Sequence, residues 1–248
     1  MIMLTENMVI AKIRKAIDEG GLDLLAERSV RFLYFQIYNF LPKTTTKYNG
    51  IEVYGARLFE KNIPRNNPSR PKYEEGIINA LERNVENGDE IKIIGGGLGV
   101  TAVKSASLSG NPSNVEVFEG AEERIEKMRQ TFKLHNLQDI RINHAIVGPE
   151  IDVWGSTESA SRVEPQELSE CDILEIDCEG SEKEILKNLE IMPRVIIVES
   201  HGHLNSSTED LKEILKQLGY KIKNVEPAEN KDYVKEKDIK VITAVDNN

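Results

Sequence analysis

Residues 91–102 read IKIIGGGLGVTA, and the rest of the chain is interpreted around this stretch. Its first four residues, Ile91–Ile94, are apolar apart from one lysine and predict a short buried strand, and helical spacing returns from Val100. The residues between them include four glycines: Gly95, Gly96, Gly97 and Gly99. Because glycine has no Cβ, backbone amides in such a turn can approach an anionic group or a nucleotide. The stretch therefore predicts half of a nucleotide-cofactor site.

A second predicted strand ends at Glu119, about 20 residues after the glycine turn. At that separation, nucleotide sites place an acid that accepts hydrogen bonds from the ribose hydroxyls. The glycine turn by itself does not identify the cofactor, because it fits the patterns of two cofactor classes. Gly95, Gly97 and Gly99 fit the G-x-G-x-G pattern of methyl-donor sites. Gly97, Gly99 and Ala102 also fit the G-x-G-x-x-A pattern of NAD and flavin sites.

The chain has 248 residues and a formal net charge of −10, with 39% hydrophobic and 30% charged residues. This composition predicts one α/β domain with an N-terminal appendage. The acidic balance argues against nucleic acid or a membrane as a partner, because both bind basic surfaces. No apolar run is long enough to span a bilayer, and the N-terminus lacks the features of a signal peptide. We interpret Cys171 and Cys178 as reduced, buried thiols, which predicts a cytoplasmic protein.

The N-terminal part of the chain has a different pattern from the rest. Residues 5–41 predict two helices separated by Gly20 and Gly21, residues 42–47 predict a linker, and 51–59 a strand or hairpin. The polar, proline-rich residues 61–72 predict a loop. The predicted division is an N-terminal helical segment at 1–47 and a main domain at 48–248, with its core at 73–248.

From residue 73 the predicted strands and helices alternate, which indicates a parallel sheet covered by helices on both faces. The last two strands have no helix between them, so the final strand should run antiparallel to its neighbours. The predicted strands are 91–94, 114–118, 140–147, 171–176, 194–199, 220–225 and 239–245; the predicted helices are 73–85, 99–108, 121–135, 181–189 and 207–218.

Two further groups of polar residues follow strands of this predicted sheet. Asp177 and Glu179 come just after the fourth strand, at the carboxyl edge where open α/β sheets bind ligands. Glu199, His201 and His203 follow the fifth strand, and either histidine is a candidate base. Carboxylates and an imidazole can act as a general base near neutral pH. The same residue types occur in metal sites, but their spacing matches no known ligand pattern, and no metal is predicted.

Between residues 73 and 245 the chain resembles the FkbM-type S-adenosyl-L-methionine (SAM)-dependent methyltransferases. The resemblance is carried by the glycine turn, VEVFEG (115–120), NHAIVGP (143–149), DILEIDCEGSEKEIL (172–186) and VIIVES (195–200). The D-x-E-G element at 177–180 is the most specific of these motifs. The family usually has an acid two residues before the first glycine, where this chain has Ile93.

The resemblance implies the class I methyltransferase fold: a Rossmann-like, seven-stranded, mostly parallel sheet with a C-terminal antiparallel hairpin, preceded by the N-terminal helical segment. It also implies SAM as cofactor. The implied cofactor-binding residues are Gly95, Gly96, Gly97 and Gly99 beside the methionine moiety, Glu119 at the ribose, and Ala145 and Ile146 near the adenine. The implied catalytic residues are Asp177, Glu179 and His201, any of which could be the base.

The favoured function is O-methylation of a small molecule or a glycan. One alternative is an NAD(P)-dependent oxidoreductase, supported by the Gly97, Gly99 and Ala102 pattern. Another is a non-catalytic module on a methyltransferase fold, supported by Ile93. We expect the acceptor pocket to involve the N-terminal helices, the 61–72 loop and residues 148–168, which include Trp154. The sequence makes no prediction of the oligomeric state.

Overall fold

The computed structural model describes residues 6–149, 157, 159–229, 234 and 236–247, and only the backbone of residues 6–20 and 25. Of the predicted acceptor-pocket segment 148–168, residues 150–156, which include Trp154, and residue 158 therefore lie outside the described residues. The helices are α1 Glu6–Ile37, α2 Glu75–Asn84, α3 Val100–Ser109, α4 Glu122–Leu134, α5 Glu182–Lys187 and α6 Thr208–Gln217. The strands are β1 Lys43–Tyr48, β2 Ile51–Arg57, β3 Ile91–Ile94, β4 Val115–Glu119, β5 Arg141–Val147, β6 Ser161–Val163, β7 Ile173–Ile176, β8 Val195–Glu199, β9 Tyr220–Pro227 and β10 Lys240–Asp246. Among the described residues, no helix is both long and apolar enough to cross a membrane.

The chain divides into two compact units. The first consists of residues 1–46 and 54–70 and contains α1; the second consists of 47–53 and 71–248 and contains the large sheet. Strands β1 and β2 form a two-stranded sheet whose strands are joined by Asn49 and Gly50, both with positive φ. Asn-Gly is the preferred pair for such a tight hairpin turn. The predicted division at residue 47 stays a prediction.

Two predictions for the N-terminal part are wrong. Residues 42–47 are not a linker, because three consecutive threonines favour the extended conformation and place most of the segment in β1. The two predicted helices are one helix, α1. Gly21 lies within it at a φ of 65°, so the glycine pair permits a local distortion of the backbone without ending the helix.

The large sheet has the strand order β6-β5-β4-β3-β7-β8-β10-β9. All its pairs are parallel except those of β10, which runs antiparallel to both β8 and β9. The mostly parallel sheet with a C-terminal antiparallel hairpin is thus confirmed. The predicted number of seven strands is one too few, because the three residues of β6 pair with β5. Such a short polar strand has no recognisable pattern in the sequence.

The central strands of the sheet are buried on both faces, as expected for a parallel sheet covered by helices. Every residue of β3, β7 and β8 is buried. On one face Ile93 packs in a cluster with residues of α2, α3 and α4, and on the other Ile94 packs with residues of α5 and α6. This two-sided core fixes the carboxyl ends of the central strands, where the polar residues singled out above lie.

Candidate functional site

The cavity at the carboxyl ends of the central strands has a volume of about 300 Å³. It lies where β4, β3, β7 and β8 are neighbours in the sheet, so the segments that follow these strands meet there. Eight of the residues predicted for the site line it: Gly95, Gly97, Glu119, Ala145, Ile146, Asp177, Glu179 and His201. Gly96 and Gly99 are not among the lining residues.

The four glycines of the turn have different surroundings. A Cβ on Gly95 would lie 1.8 Å from the carbonyl oxygen of Asp177, so the turn after β3 packs directly against the segment after β7. Gly96 and Gly99 face α4, where a Cβ would lie 2.5 Å and 2.7 Å from atoms of Met128. Only at Gly97 would a Cβ meet ordinary contacts, at 3.7 Å or more. Gly97 is thus the glycine whose open side faces the cavity.

Glu119 ends β4 and is 6% exposed. Its Oε2 accepts hydrogen bonds of 3.1 Å from the backbone N–H groups of both Gly96 and Gly97, and its Oε1 accepts one of 2.8 Å from Ala121. The carboxylate therefore holds the glycine turn in place. Because each carboxylate oxygen has two lone pairs, Oε2 is fully used, and Oε1 retains one lone pair that can accept a hydrogen bond from a ligand in the cavity.

The wall of the cavity beside Glu119 is apolar. Ala145 and Ile146 of β5 line it together with Phe118, the residue before Glu119. This arrangement places an apolar surface next to a hydrogen-bond acceptor. It suits a nucleoside whose base packs against the apolar surface and whose sugar bonds to the acceptor.

Asp177 and Glu179 both line the cavity, but their surroundings differ. Burial raises the pKa of Asp177 to about 6, although the neighbouring positive charge of His201 opposes this shift. Glu179 has a left-handed backbone, with a φ of 53°, and its Oε1 lies 4.0 Å from Nη2 of Arg124. Asp177 is therefore close to half ionised near pH 6, where a general base becomes useful.

His201 is buried and oriented by Glu182, a residue that the sequence analysis did not single out. Its Nδ1 lies 2.8 Å from Oε1 of Glu182, which is 0% exposed and accepts two hydrogen bonds from the backbone N–H of Gly180. Burial lowers the pKa of His201, but the hydrogen bond to Glu182 and the charge of Asp177 outweigh it, so the net shift is upward. An acid in the first turn of a helix is common, so the sequence contained no signal for this role.

The other ring nitrogen of His201 faces two carboxylates. Nε2 lies 3.7 Å from Oδ1 of Asp177 and 3.6 Å from Oε1 of Glu199. One donor atom from each of these residues lies within 4.8 Å of the others, close enough to hold a metal ion. The attraction between a charged imidazole and two carboxylates explains this proximity equally well, and we assign no metal here.

The cavity residues that the sequence analysis missed include Tyr73, Glu74, Arg124 and Glu229. Glu74 has a φ of 51°, and its backbone N–H donates a 3.2 Å hydrogen bond to Oε1 of Glu229. Burial and the charge of Asp177 raise the pKa of Glu74 to about 8. Their positions outside the predicted strand ends explain why the sequence did not reveal these residues.

Comparison with known proteins gives one family. The family model of the methyltransferase FkbM domain matches residues 49–222. A search of curated proteins gives no match.

Among solved structures, similar folds include the ribosomal protein L11 methylase of Lactobacillus delbrueckii subsp. bulgaricus, which is 12% identical with a TM-score of 0.51, over 71% of this chain and 79% of that chain. PH0793 of Pyrococcus horikoshii, provisionally named a transferase, is 16% identical with a TM-score of 0.50, over 83% and 72% of the two chains. SMU.776, provisionally named a methyltransferase and solved with S-adenosylhomocysteine (SAH), is 9% identical with a TM-score of 0.50, over 82% and 56%. At these identities the similarity shows the fold alone.

Proposed function

Because the chain belongs to the FkbM methyltransferase family and is a SAM-dependent methyltransferase, we propose that it methylates a hydroxyl oxygen of a small molecule or a glycan. The observation that carries the proposal is a single cavity lined by the glycine turn, Glu119 and Asp177. The same cavity thus contains the site for the nucleotide-bearing donor and a carboxylate whose pKa is raised.

The cavity residues fit the donor. The open side of Gly97 lets the backbone approach it, Glu119 accepts a hydrogen bond from a ribose hydroxyl through Oε1, and Ala145 and Ile146 pack against its adenine. When bound, SAM supplies a methyl group on a sulfonium, which is an activated electrophile. The protein's main task is alignment of the two reactants and exclusion of water, which can lower a barrier by ~7–11 kcal/mol.

We assign Asp177 as the general base, since it lines the cavity and its pKa is about 6. The acceptor oxygen forms a bond to the methyl carbon as its proton passes to Asp177, and the electron pair of the broken C–S bond stays on sulfur. The raised pKa of His201 favours its protonated form, whose charge beside Asp177 holds the carboxylate in place. Glu179, which also lines the cavity, orients the acceptor.

The charge of the cavity bears on the acceptor class. Carboxylates predominate among its described lining residues: Glu74, Glu119, Asp177, Glu179, Glu199 and Glu229. The pKa of about 8 leaves Glu74 largely protonated at neutral pH, but the other acids of the lining, together with a net charge of −10, repel phosphate and disfavour nucleic acid as the acceptor. It supports a neutral acceptor such as a polyol or a glycan.

Binding and turnover experiments test this function in order. Calorimetry with SAH, NAD and NADP should show binding of SAH alone; binding of NAD or NADP without SAH would favour the oxidoreductase reading. A panel of hydroxylated small molecules, glycans, amines and RNA is then incubated with SAM, and SAH release is measured. We expect turnover with hydroxylated acceptors and an O-methyl product by mass spectrometry. Turnover confined to amines or RNA would refute the proposed acceptor class.

A further inference from the structure

Two groups of opposite charge lie over the open side of the glycine turn. A Cβ on Gly97 would lie 3.7 Å from Oε1 of Glu74 and 3.7 Å from Nη1 of Arg124. Both are lining residues of the cavity. Within the described part of the chain, no ion pair of 4.0 Å or less joins them. A carboxylate oxygen and a guanidinium nitrogen thus both border the space over Gly97 without pairing with each other.

Arg124, in the first turn of α4, is available to a ligand. Its nearest acid is Glu179, whose Oε1 is 4.0 Å from Nη2, too far for a hydrogen bond. Its side chain is 31% exposed. Among the described lining residues Arg124 is the one arginine or lysine. A guanidinium forms its strongest hydrogen bonds with a carboxylate or a phosphate, and it is the cavity's natural partner for such a group.

Glu74 is held in an unusual conformation, which directs its carboxylate to the same space. Its φ of 51° is a left-handed value that non-glycine residues seldom adopt, and such strain often marks a functional site. Burial and the negative charge of Asp177 raise its pKa to about 8. These effects outweigh the hydrogen bond from Tyr73 and the charge of Arg124, which lower the pKa, so a bound ammonium would further stabilise the anionic form of Glu74.

We propose that Glu74 and Arg124 bind the two ends of a zwitterion over Gly97: Glu74 the ammonium and Arg124 the carboxylate of the amino-acid moiety of SAM. This inference rests on the proposed function and extends it to residues that the sequence analysis missed.

The pair also accounts for the departure at Ile93. Ile93 stands where the resemblance implies an acid, and it is 0% exposed within β3. Its parallel partner on β7 is Glu175, but that side chain is 1% exposed and is not among the described lining residues. Of the acids that line the cavity, Glu74 is the one whose carboxylate is among the three atoms nearest to an added Cβ on Gly97, and we therefore assign the donor's ammonium to it.

Three ligands distinguish the contribution of the donor's amino-acid end to binding affinity from that of its nucleoside end. SAH has both the ammonium and the carboxylate, its decarboxylated analogue retains only the ammonium, and 5′-methylthioadenosine has neither. Calorimetry on the full chain gives the affinity of each. In the wild-type protein we expect SAH to bind about tenfold or more tightly than methylthioadenosine, because charge-assisted hydrogen bonds are strong. This comparison needs no variant and is independent of any folding defect.

Two substitutions then assign the charges. Glu74→Gln should weaken SAH and the decarboxylated analogue by about tenfold or more, and methylthioadenosine by less than about twofold. Arg124→Gln should weaken SAH by about tenfold, and the other two ligands by less than about twofold. Glu119→Ala is the matched control at the nucleoside end and should weaken all three ligands alike. Circular dichroism checks that each variant is folded.

The possible results distinguish the two proposals. If the wild-type protein binds SAH and methylthioadenosine equally, the zwitterion site is refuted while donor binding stands. Equal losses for all three ligands in Glu74→Gln would also refute it, because Glu74 would then act through the fold of the site. If none of the three ligands binds the wild-type protein, the proposed function fails together with the zwitterion site.

Discussion

The backbone N–H of Gly97 donates a 3.1 Å hydrogen bond to Oε2 of Glu119, across two neighbouring parallel strands. The acid that the sequence assigns to the ribose thus also organises the turn that approaches the donor. The same carboxylate accepts hydrogen bonds from the N–H groups of Gly96 and Ala121. Donor binding and local stability therefore depend on one side chain.

Replacement of Glu119 by alanine should affect both properties. We expect SAH affinity to fall well over tenfold, since the ribose loses a charged acceptor. The free energy of unfolding should fall by about 1–3 kcal/mol, because three backbone N–H groups lose their acceptor. Calorimetry and urea denaturation measure the two effects. Unchanged SAH affinity in a destabilised variant would limit Glu119 to a structural role.

Gly95→Ala should mainly disrupt the fold, whereas Gly97→Ala should mainly weaken donor binding. At Gly95 a Cβ would lie 1.8 Å from a backbone oxygen, so Gly95→Ala should severely destabilise the fold. At Gly97 the space is open and only the φ of 51° is unfavourable, which costs about 1–2 kcal/mol. Gly97→Ala should fold, but its methyl group would project between Glu74 and Arg124 and weaken SAH more than methylthioadenosine. Thermal unfolding and calorimetry test this pair, and full SAH affinity in Gly97→Ala would contradict it.

Asp177→Asn should remove the base and leave the donor site intact. We expect turnover to fall about 10²–10⁴-fold with SAH affinity nearly unchanged. In the wild-type protein the rate should rise with pH through about 6 and then level off, because the ionised form of Asp177 accepts the proton. Initial rates of SAH formation, with an acceptor from the panel, give the profile. The same pH dependence at undiminished rate in the Asn variant would assign the base elsewhere.

Glu182→Gln should lower the pKa of His201. The buried Glu182 carboxylate is the partner of Nδ1, and it favours the charged imidazole. The chain has four histidines, few enough for each ring to be followed by NMR during a pH titration. Glu184→Gln, the same change on an exposed part of α5, is the control and should leave the titration unchanged. An unshifted His201 in Glu182→Gln would show that the other carboxylates determine its pKa.

SAH binding should weaken as the pH falls below about 8. The carboxyl group of Glu74 has a raised pKa of about 8 in the free protein, yet it must be ionised to hold the ammonium. The contribution of Glu74 to SAH affinity is therefore constant above that pH. Below it, this contribution decreases by up to about tenfold for each pH unit. Tyr73, Asp177, Glu229 and Arg124 also influence this group. Calorimetry between about pH 6.5 and 8.5 should show the slope for SAH. The slope should be absent for methylthioadenosine and in Glu74→Gln, and a slope retained in that variant would exclude Glu74 as its origin.

Local patterns determined much of the fold. The apolar run before the glycines, the alternation of strands and helices, and the final hairpin all follow from the spacing of apolar and turn residues, which depends on neighbours in the chain. The positions of the glycine turn, Glu119 and Asp177 at strand ends followed from the same patterns. In contrast, the three residues of β6 and the continuity of α1 past Gly21 had no local signal strong enough to predict them.

Only the tertiary structure decided which side chains meet. The strand order places the segment after β3 between those after β4 and β7, and so packs Gly95 against Asp177 and attaches Gly97 to Glu119. Glu74 and Arg124 lie far apart in the chain, and no local spacing relates them. Their proximity over Gly97 results from the way α2 and α4 pack on one face of the sheet, and long-range packing of this kind has no counterpart in local sequence periodicity.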